Sequence, residues 1–211
     1  MPVRHCLPLA AAVLMGLTAP TLAAVDPPQR VPGKAASPAR LITWLEFAPE
    51  VKSVQHHLKD ASRRTGVDVE LMKALIAVES GFRPDAVSPQ GAVGLMQILP
   101  TTADRYATAH EVQQPAEERL KDPRTNIHTG ARMLADLTQR LGRIDLALAA
   151  WNAGEGTVRR AGGRLPDIAE TRAHVHLVLE IYWGLLQRKF PDAAAQLRAA
   201  RAAPEATARQ P

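Results

Sequence analysis

A chain of 211 residues, 46% of them hydrophobic but only 4% aromatic, can bury a substantial core yet carries few rings for stacking on bases. Its formal charge of +5, from 26 Lys and Arg against 21 Asp and Glu, is a mild basic excess with no Lys/Arg-dense block. That balance suits an anionic polymer as partner and argues against nucleic acid.

The chain opens with a secretion signal over residues 1–24. Arg4 and His5 form a basic start, Leu7 to Leu17 an apolar stretch, and Thr21-Leu22-Ala23-Ala24 a small-residue exit. The stretch is too short for a transmembrane helix, and nothing later approaches the roughly 18 uncharged apolar residues of a span. Removal of this segment takes away Cys6, the sole cysteine, and Arg4, leaving 25 basic against 21 acidic residues and a charge of +4. No disulfide or cysteine chemistry then remains. Pro27, Pro28, Pro32 and Pro38 among small polar residues mark 25–40 as a disordered linker. Trp44 and Phe47, ahead of Pro49, can pack on the domain or on a partner.

From there helices follow one another. Val51, Val54, Leu58 and Ala61 give an amphipathic helix that Gly66 stops, and Asp68 caps the next, an apolar run from Val69 to Val78 ending in Glu79-Ser80-Gly81. The stretch from Gly81 to Gly94 reads as one long irregular loop. Asp122-Pro123 starts a helix through Ile127, Leu134 and Leu141 that Gly142 ends. Leu146 to Asn152 is a short helix closed by Gly154, and a long helix from about Asp167 to Lys189 turns Val175, Val178, Leu179, Tyr182 and Leu186 inward. Residues 191–211, rich in Ala and Arg with only Leu197 as a bulky apolar residue, read as a frayed helix or tail. No segment alternates with period two, so the expectation is one all-α domain over 41–190.

Glu79 breaks the local rules. Positions three and four apart share a helix face, so Val69, Met72, Ile76 and Glu79 lie on one apolar stripe. Burial disfavours a carboxylate, and so does the negative end of the helix dipole in the last turn. Both favour the neutral acid that general acid catalysis requires. Taken alone, a surface glutamate at the end of an ordinary helix is the commoner case. Metal and cofactor chemistry are not expected. His174 and His176 are two apart, His56 and His57 adjacent, and the chain contains no H-E-x-x-H, phosphate-binding glycine loop or nucleophile elbow.

Three further segments turn the lone acid into a pattern: Ser88-Pro89-Gln90-Gly91-Ala92-Val93-Gly94-Leu95-Met96-Gln97, Ala149-Ala150-Trp151-Asn152-Ala153-Gly154, and Pro166-Asp167-Ile168-Ala169-Glu170-Thr171-Arg172-Ala173-His174. With E-S-G-F at 79–82, their order and spacing resemble the soluble lytic transglycosylase family over roughly Leu41 to Lys189. The resemblance implies a goose-type lysozyme-like helical domain and a periplasmic enzyme acting on peptidoglycan glycan strands. It implies cleavage of the bond between N-acetylmuramic acid and N-acetylglucosamine without water, leaving a 1,6-anhydro ring. An envelope-spanning secretion or pilus apparatus is a partner that fits by analogy. Glu79 matches the single catalytic acid, and Glu170 a structural position. Ser80, Gly94, Met96, Gln97, Trp151, Asn152 and His174 match positions that line the site or contact substrate, with Gly91 in the same loop. The chain departs from the pattern twice. Trp151 replaces the usual tyrosine, and His174 replaces a tyrosine whose hydroxyl lies close to the acid. A neutral imidazole there can still donate one hydrogen bond. Two alternatives stay open: a wall-binding protein without catalysis, and a hydrolytic muramidase that would need a second carboxylate to activate water.

Overall fold

The computed structural model describes residues 37–202, so the signal segment, most of the linker and residues 203–211 lie outside the described residues. Helix α1 (Pro38–Phe47) begins where the linker was expected to continue. Proline fits the first helical turn, where its missing N–H is not needed, and the helix buries Leu41, Ile42 and Leu45. Trp44 sets its ring edge-on against Phe82 at 5.8 Å, whereas Phe47 is largely exposed. Helix α2 (Pro49–Thr65) buries Val51, Val54, Leu58 and Ala61 and stops at Gly66, whose positive φ of 76° permits the left-handed cap. The Asp68 carboxylate accepts from the Glu70 N–H at 2.7 Å and starts α3 (Val69–Glu79), whose Met72, Leu75 and Ile76 are wholly buried.

After the loop, α4 (Pro100–Ala103), α5 (Ala116–Arg119) and two single 3₁₀ turns carry the chain to α6 (Pro123–Leu141). Polar side chains stand in for apolar packing here. The Tyr106 hydroxyl donates to Asp136 at 2.6 Å, Arg132 reaches Glu111 at 2.8 Å and Arg119 reaches Asp104 at 2.6 Å. Arg140, and after it Tyr106, hold the Asp136 carboxyl below the usual carboxylate range. Asp122 caps α6 at the Thr125 N–H and Gly142 ends it. Helices α7 (Ile144–Ala153) and α8 (Glu155–Arg160) lead into α9 (Ala169–Lys189), and α10 (Pro191–Ala202) follows it directly.

Helix α3 is central, packed against α1, α2 and α9, while α6 bridges α2 and α7. Helix α9 runs antiparallel to α3, because its start meets the end of α3 at His174 and Glu79 and its end meets the start at Lys189 and Glu70. Among the described residues the only strand-like pairing is two isolated bridges, Val87 with Val93 and Val93 with Ile98, both in the loop after α3. The all-α expectation therefore holds. The inward face of α9 is more nearly Thr171, Val175, Val178, Ile181 and Leu185, with Leu179, Tyr182 and Leu186 half-buried beside it. No helix among the described residues is long and apolar enough to cross a membrane.

Candidate active site

Three elements meet at Glu79, the last turn of α3, the loop over residues 80–99 and the start of α9, and the end of α7 joins them through α9. The apolar run before Glu79 buries α3 on nearly all sides, which fixes the last residue of the helix. Gly81 and Phe82, with φ of 61° and 62°, then turn the chain sharply away. A left-handed phenylalanine costs about 1–2 kcal/mol, which is offset by sealing its ring against Trp44, where only 3% stays exposed. The carboxyl group of Glu79 is left at the surface end of a dry helix with 16% of its side chain accessible.

His174 closes over it. Its Nε2 lies 3.0 Å from Glu79 Oε1, across 95 residues of sequence, and its Nδ1 is buried with no hydrogen-bond partner. The two facts together assign the tautomer by hydrogen-bond logic. A buried N–H without an acceptor is rarer than a buried lone pair without a donor, so the ring proton belongs on Nε2, which donates to Oε1. Oε1 then serves as an acceptor, and a proton on the acid sits on Oε2.

One turn earlier on α9, the buried Thr171 hydroxyl donates to Asn152 Oδ1 at 2.9 Å. That fixes the amide of Asn152, which is exposed at the end of α7 and presents its NH₂ outward. Trp151 is half-buried against the core. Glu170 is exposed in the first turn of α9, where a carboxylate is favoured by the helix dipole.

Other residues singled out in the sequence are placed in the support of the site rather than on its surface. Ser80 was expected to orient the acid or meet substrate. It is buried, and its hydroxyl donates to the Leu95 carbonyl at 2.7 Å. Met96 was expected on a cleft wall, yet it is wholly buried, its sulfur lying against Gly130, where a β-carbon would overlap it. Gly94 was expected to let backbone approach a sugar or to turn with positive φ; it makes the turn, and its close approach is to Asn126 of α6 and to Leu120 before it. Its φ is 80°, and a β-carbon there would overlap the Asn126 amide and the Leu120 carbonyl. The Gln97 amide nitrogen donates to the Ala86 and Gly94 carbonyls at 3.1 and 2.9 Å, leaving its oxygen as the uncommitted atom. Gly91, with φ 78° and open space around it, is a plain turn glycine.

Asn126 went unnoticed in the sequence. It is fully buried on α6, accepts from the Met96 N–H at 2.8 Å, and donates to the Val93 and Leu120 carbonyls at 3.0 and 2.8 Å. One amide thus satisfies two backbone groups of a loop that has almost no regular structure of its own and ties them to the Leu120 carbonyl at the end of α5. The available signal was a polar residue on the inward stripe of an amphipathic helix, four residues after the Asp122 cap.

The chain is similar to known proteins. The Transglycosylase SLT domain family matches residues 57–171, and the chain belongs to that family, with its helical lysozyme-like fold. Among solved structures, the chain is similar to the 70-kDa soluble lytic transglycosylase of Escherichia coli, at 30% identity over 61% of this chain and 23% of that one, TM-score 0.55. It is similar to an inactive glutamate-to-glutamine mutant of the lytic transglycosylase Slt from Pseudomonas aeruginosa, at 27% identity over 70% of this chain and 27% of that one, TM-score 0.56. A complex of the 70-kDa soluble lytic transglycosylase with bulgecin A matches at 30% identity over 63% of this chain and 24% of that one, TM-score 0.55. The chain spans about a quarter of the length of these proteins.

Proposed function

We propose that this chain is a peptidoglycan lytic transglycosylase of the periplasm that cuts the bond between N-acetylmuramic acid and N-acetylglucosamine and leaves 1,6-anhydro ends, in wall remodelling or in local opening for an envelope-spanning apparatus. The observation that carries the reading is the Glu79 carboxyl at the end of an apolar helix, held on one oxygen by His174 at 3.0 Å. The inactive glutamate-to-glutamine mutant of the Pseudomonas protein supports a reaction centred on one such acid.

The chemistry follows from the hydrogen bonds. With Oε1 occupied by the Nε2–H of His174, the acidic proton on Oε2 is the one available to the glycosidic oxygen. Its transfer lets the leaving sugar depart as an alcohol. Glu79, now a carboxylate, takes the proton from the C6 hydroxyl of the muramic acid as that oxygen closes onto C1. One group serves both steps, and the proton count balances. The usual glycosidase pair of carboxylates flanking the bond is not needed. Asn152, its oxygen held by Thr171, offers N–H donors to sugar hydroxyl or acetamido oxygens, and Trp151 offers an aromatic wall.

Digests of purified sacculi should carry 1,6-anhydromuramic ends even in abundant water. The C6 hydroxyl attacks from within the same sugar, and well-oriented intramolecular reactions reach effective concentrations of about 10⁵–10⁸ M. Mass spectrometry distinguishes the products directly, and a digest dominated by reducing muramic ends would replace the transglycosylase reading with the hydrolytic one.

His174 is a positioning residue in this scheme, and its role can be separated from simple packing. His174→Ala should lower kcat by roughly ten- to a hundredfold, the worth of one hydrogen bond to a reacting carboxyl group. His174→Tyr should restore most of it, because a phenol also donates one hydrogen bond from that face. A histidine that merely packs would instead show matching losses of melting temperature in both variants and an unchanged kcat in the folded protein.

A further inference from the structure

At the other end of the α3/α9 pair lies a second hollow that the reaction above does not use. It has a volume of about 390 Å³, within the range of small-ligand sites. Along α3 it is nine residues from the acid, about 14 Å at the helical rise. Its floor is apolar, formed by the buried Leu45, Val51 and Leu185. Its walls are charged. Lys52 comes from α2, Glu70 and Lys73 from α3, Arg188 and Lys189 from α9, and Glu46 from α1.

The charges do not cancel. Glu70, with 11% of its side chain accessible, takes Lys73 on one oxygen at 3.0 Å and Lys189 on the other at 3.3 Å. Arg188 is held by Glu46 and by the Thr43 hydroxyl. Lys52 lines the hollow and forms no ion pair with the described residues. Four cations thus face two carboxylates, an excess of two positive charges around a greasy floor. A network that only stabilised the fold would be expected to match its charges and fill the space between them. Here three cations are fixed in advance by the carboxylates, so an incoming anion has little side-chain freedom to remove on binding.

From this we infer that the hollow binds a short peptide bearing two free carboxylates, its aliphatic portions lying on Leu45, Val51 and Leu185. On the reading of the chain as a peptidoglycan enzyme, that ligand is a peptide stem of the wall polymer, taken at a point separate from the glycan that enters the Glu79 site. The site would anchor the enzyme on its polymer through the peptide while the acid works on the sugar.

The test uses the glycan-free stem tetrapeptide and the full chain as Glu79→Gln, in which turnover is blocked but this hollow is untouched. Amide chemical shifts in titrations should move at α2, the first half of α3 and the end of α9. Lys52→Glu, at an exposed position with no partner to lose, should weaken binding about tenfold or more, the worth of one charged hydrogen bond. A tetrapeptide with amidated carboxylates should fail to bind. Equal binding of the amidated peptide, an unchanged affinity in Lys52→Glu, shifts confined to the surroundings of residue 79, or no binding at all would each overturn the inference. An acidic peptide of unrelated sequence binding as tightly as the stem would overturn the assignment to the wall polymer. Formation of anhydro ends by the native protein is read in a separate assay, so the two proposals can fail independently.

Discussion

Glu79→Gln should leave the protein folded and remove its activity by three to four orders of magnitude. General acid or base catalysis by a positioned side chain is typically worth about 100- to 10,000-fold, and the loss belongs at the upper end because one carboxyl group makes both proton transfers. The tautomer of His174 explains why the fold should not suffer. Its Nε2–H donates to Oε1, and an amide oxygen accepts that hydrogen bond as a carboxyl oxygen does. The melting temperature should stay within the range of a neutral surface change, about 0.5 kcal/mol. Turnover near the native rate in this variant would end the one-acid mechanism. A large stability loss would instead contradict the assigned direction of the hydrogen bond.

Asn126→Ala should produce the largest stability loss away from the acid. It strands the Met96 N–H and the Leu120 carbonyl in a buried place, while the Val93 carbonyl keeps the Ile98 N–H at 3.1 Å. Each unsatisfied buried group costs about 1–3 kcal/mol, so the sum over the two, eased by a water entering the space, is about 2–4 kcal/mol. For a chain of this size that lowers the melting temperature by roughly 10 °C. Asn126→Asp separates the contributions, since it keeps the acceptor for Met96 and loses both donations. Hydrogen exchange should show the Met96, Gln97 and Ile98 amides losing protection before those of α3. Uniform loss across the protein would mean that the amide supports the fold as a whole and not this loop.

The elements that the sequence displayed are those whose ends carry their own chemistry. Gly66, Asp68, Asp122 and Gly142 each mark a helix end by a cap that acts within a few residues, so the bounds of α2, α3 and α6 were legible. Helix α1 was hidden because a run of prolines argued for a linker, although one of them, Pro38, serves as the first residue of the helix. The short turns between α4 and α6 were hidden for a different reason. They are held by pairs such as Arg119 with Asp104, fifteen residues apart, and no local pattern reports such a pair. The same division runs through the site. Glu79 stood out as a misfit on an apolar stripe and His174 as a departure from the family pattern, and the geometry joins them. Ser80, Gly94 and Met96 were read as lining the site or contacting substrate, because short motifs mark which residues matter without saying which way they face. Their burial shows that this part of the motif shapes the loop, with Asn126 as the counterpart on α6.

The ninety-five residues between the acid and its imidazole also set when the protein can act. An unfolded chain carries Glu79 with neither a dry helix behind it nor a donor on Oε1. A chain folded only through α7 has the acid, the loop and Asn126, but still lacks the helix that brings His174. Contacts of such long sequence separation form late, after the cost of closing the intervening loop has been met. On the proposed reaction, competence to cut therefore requires that α9 has docked, since it carries the last of the site's side chains.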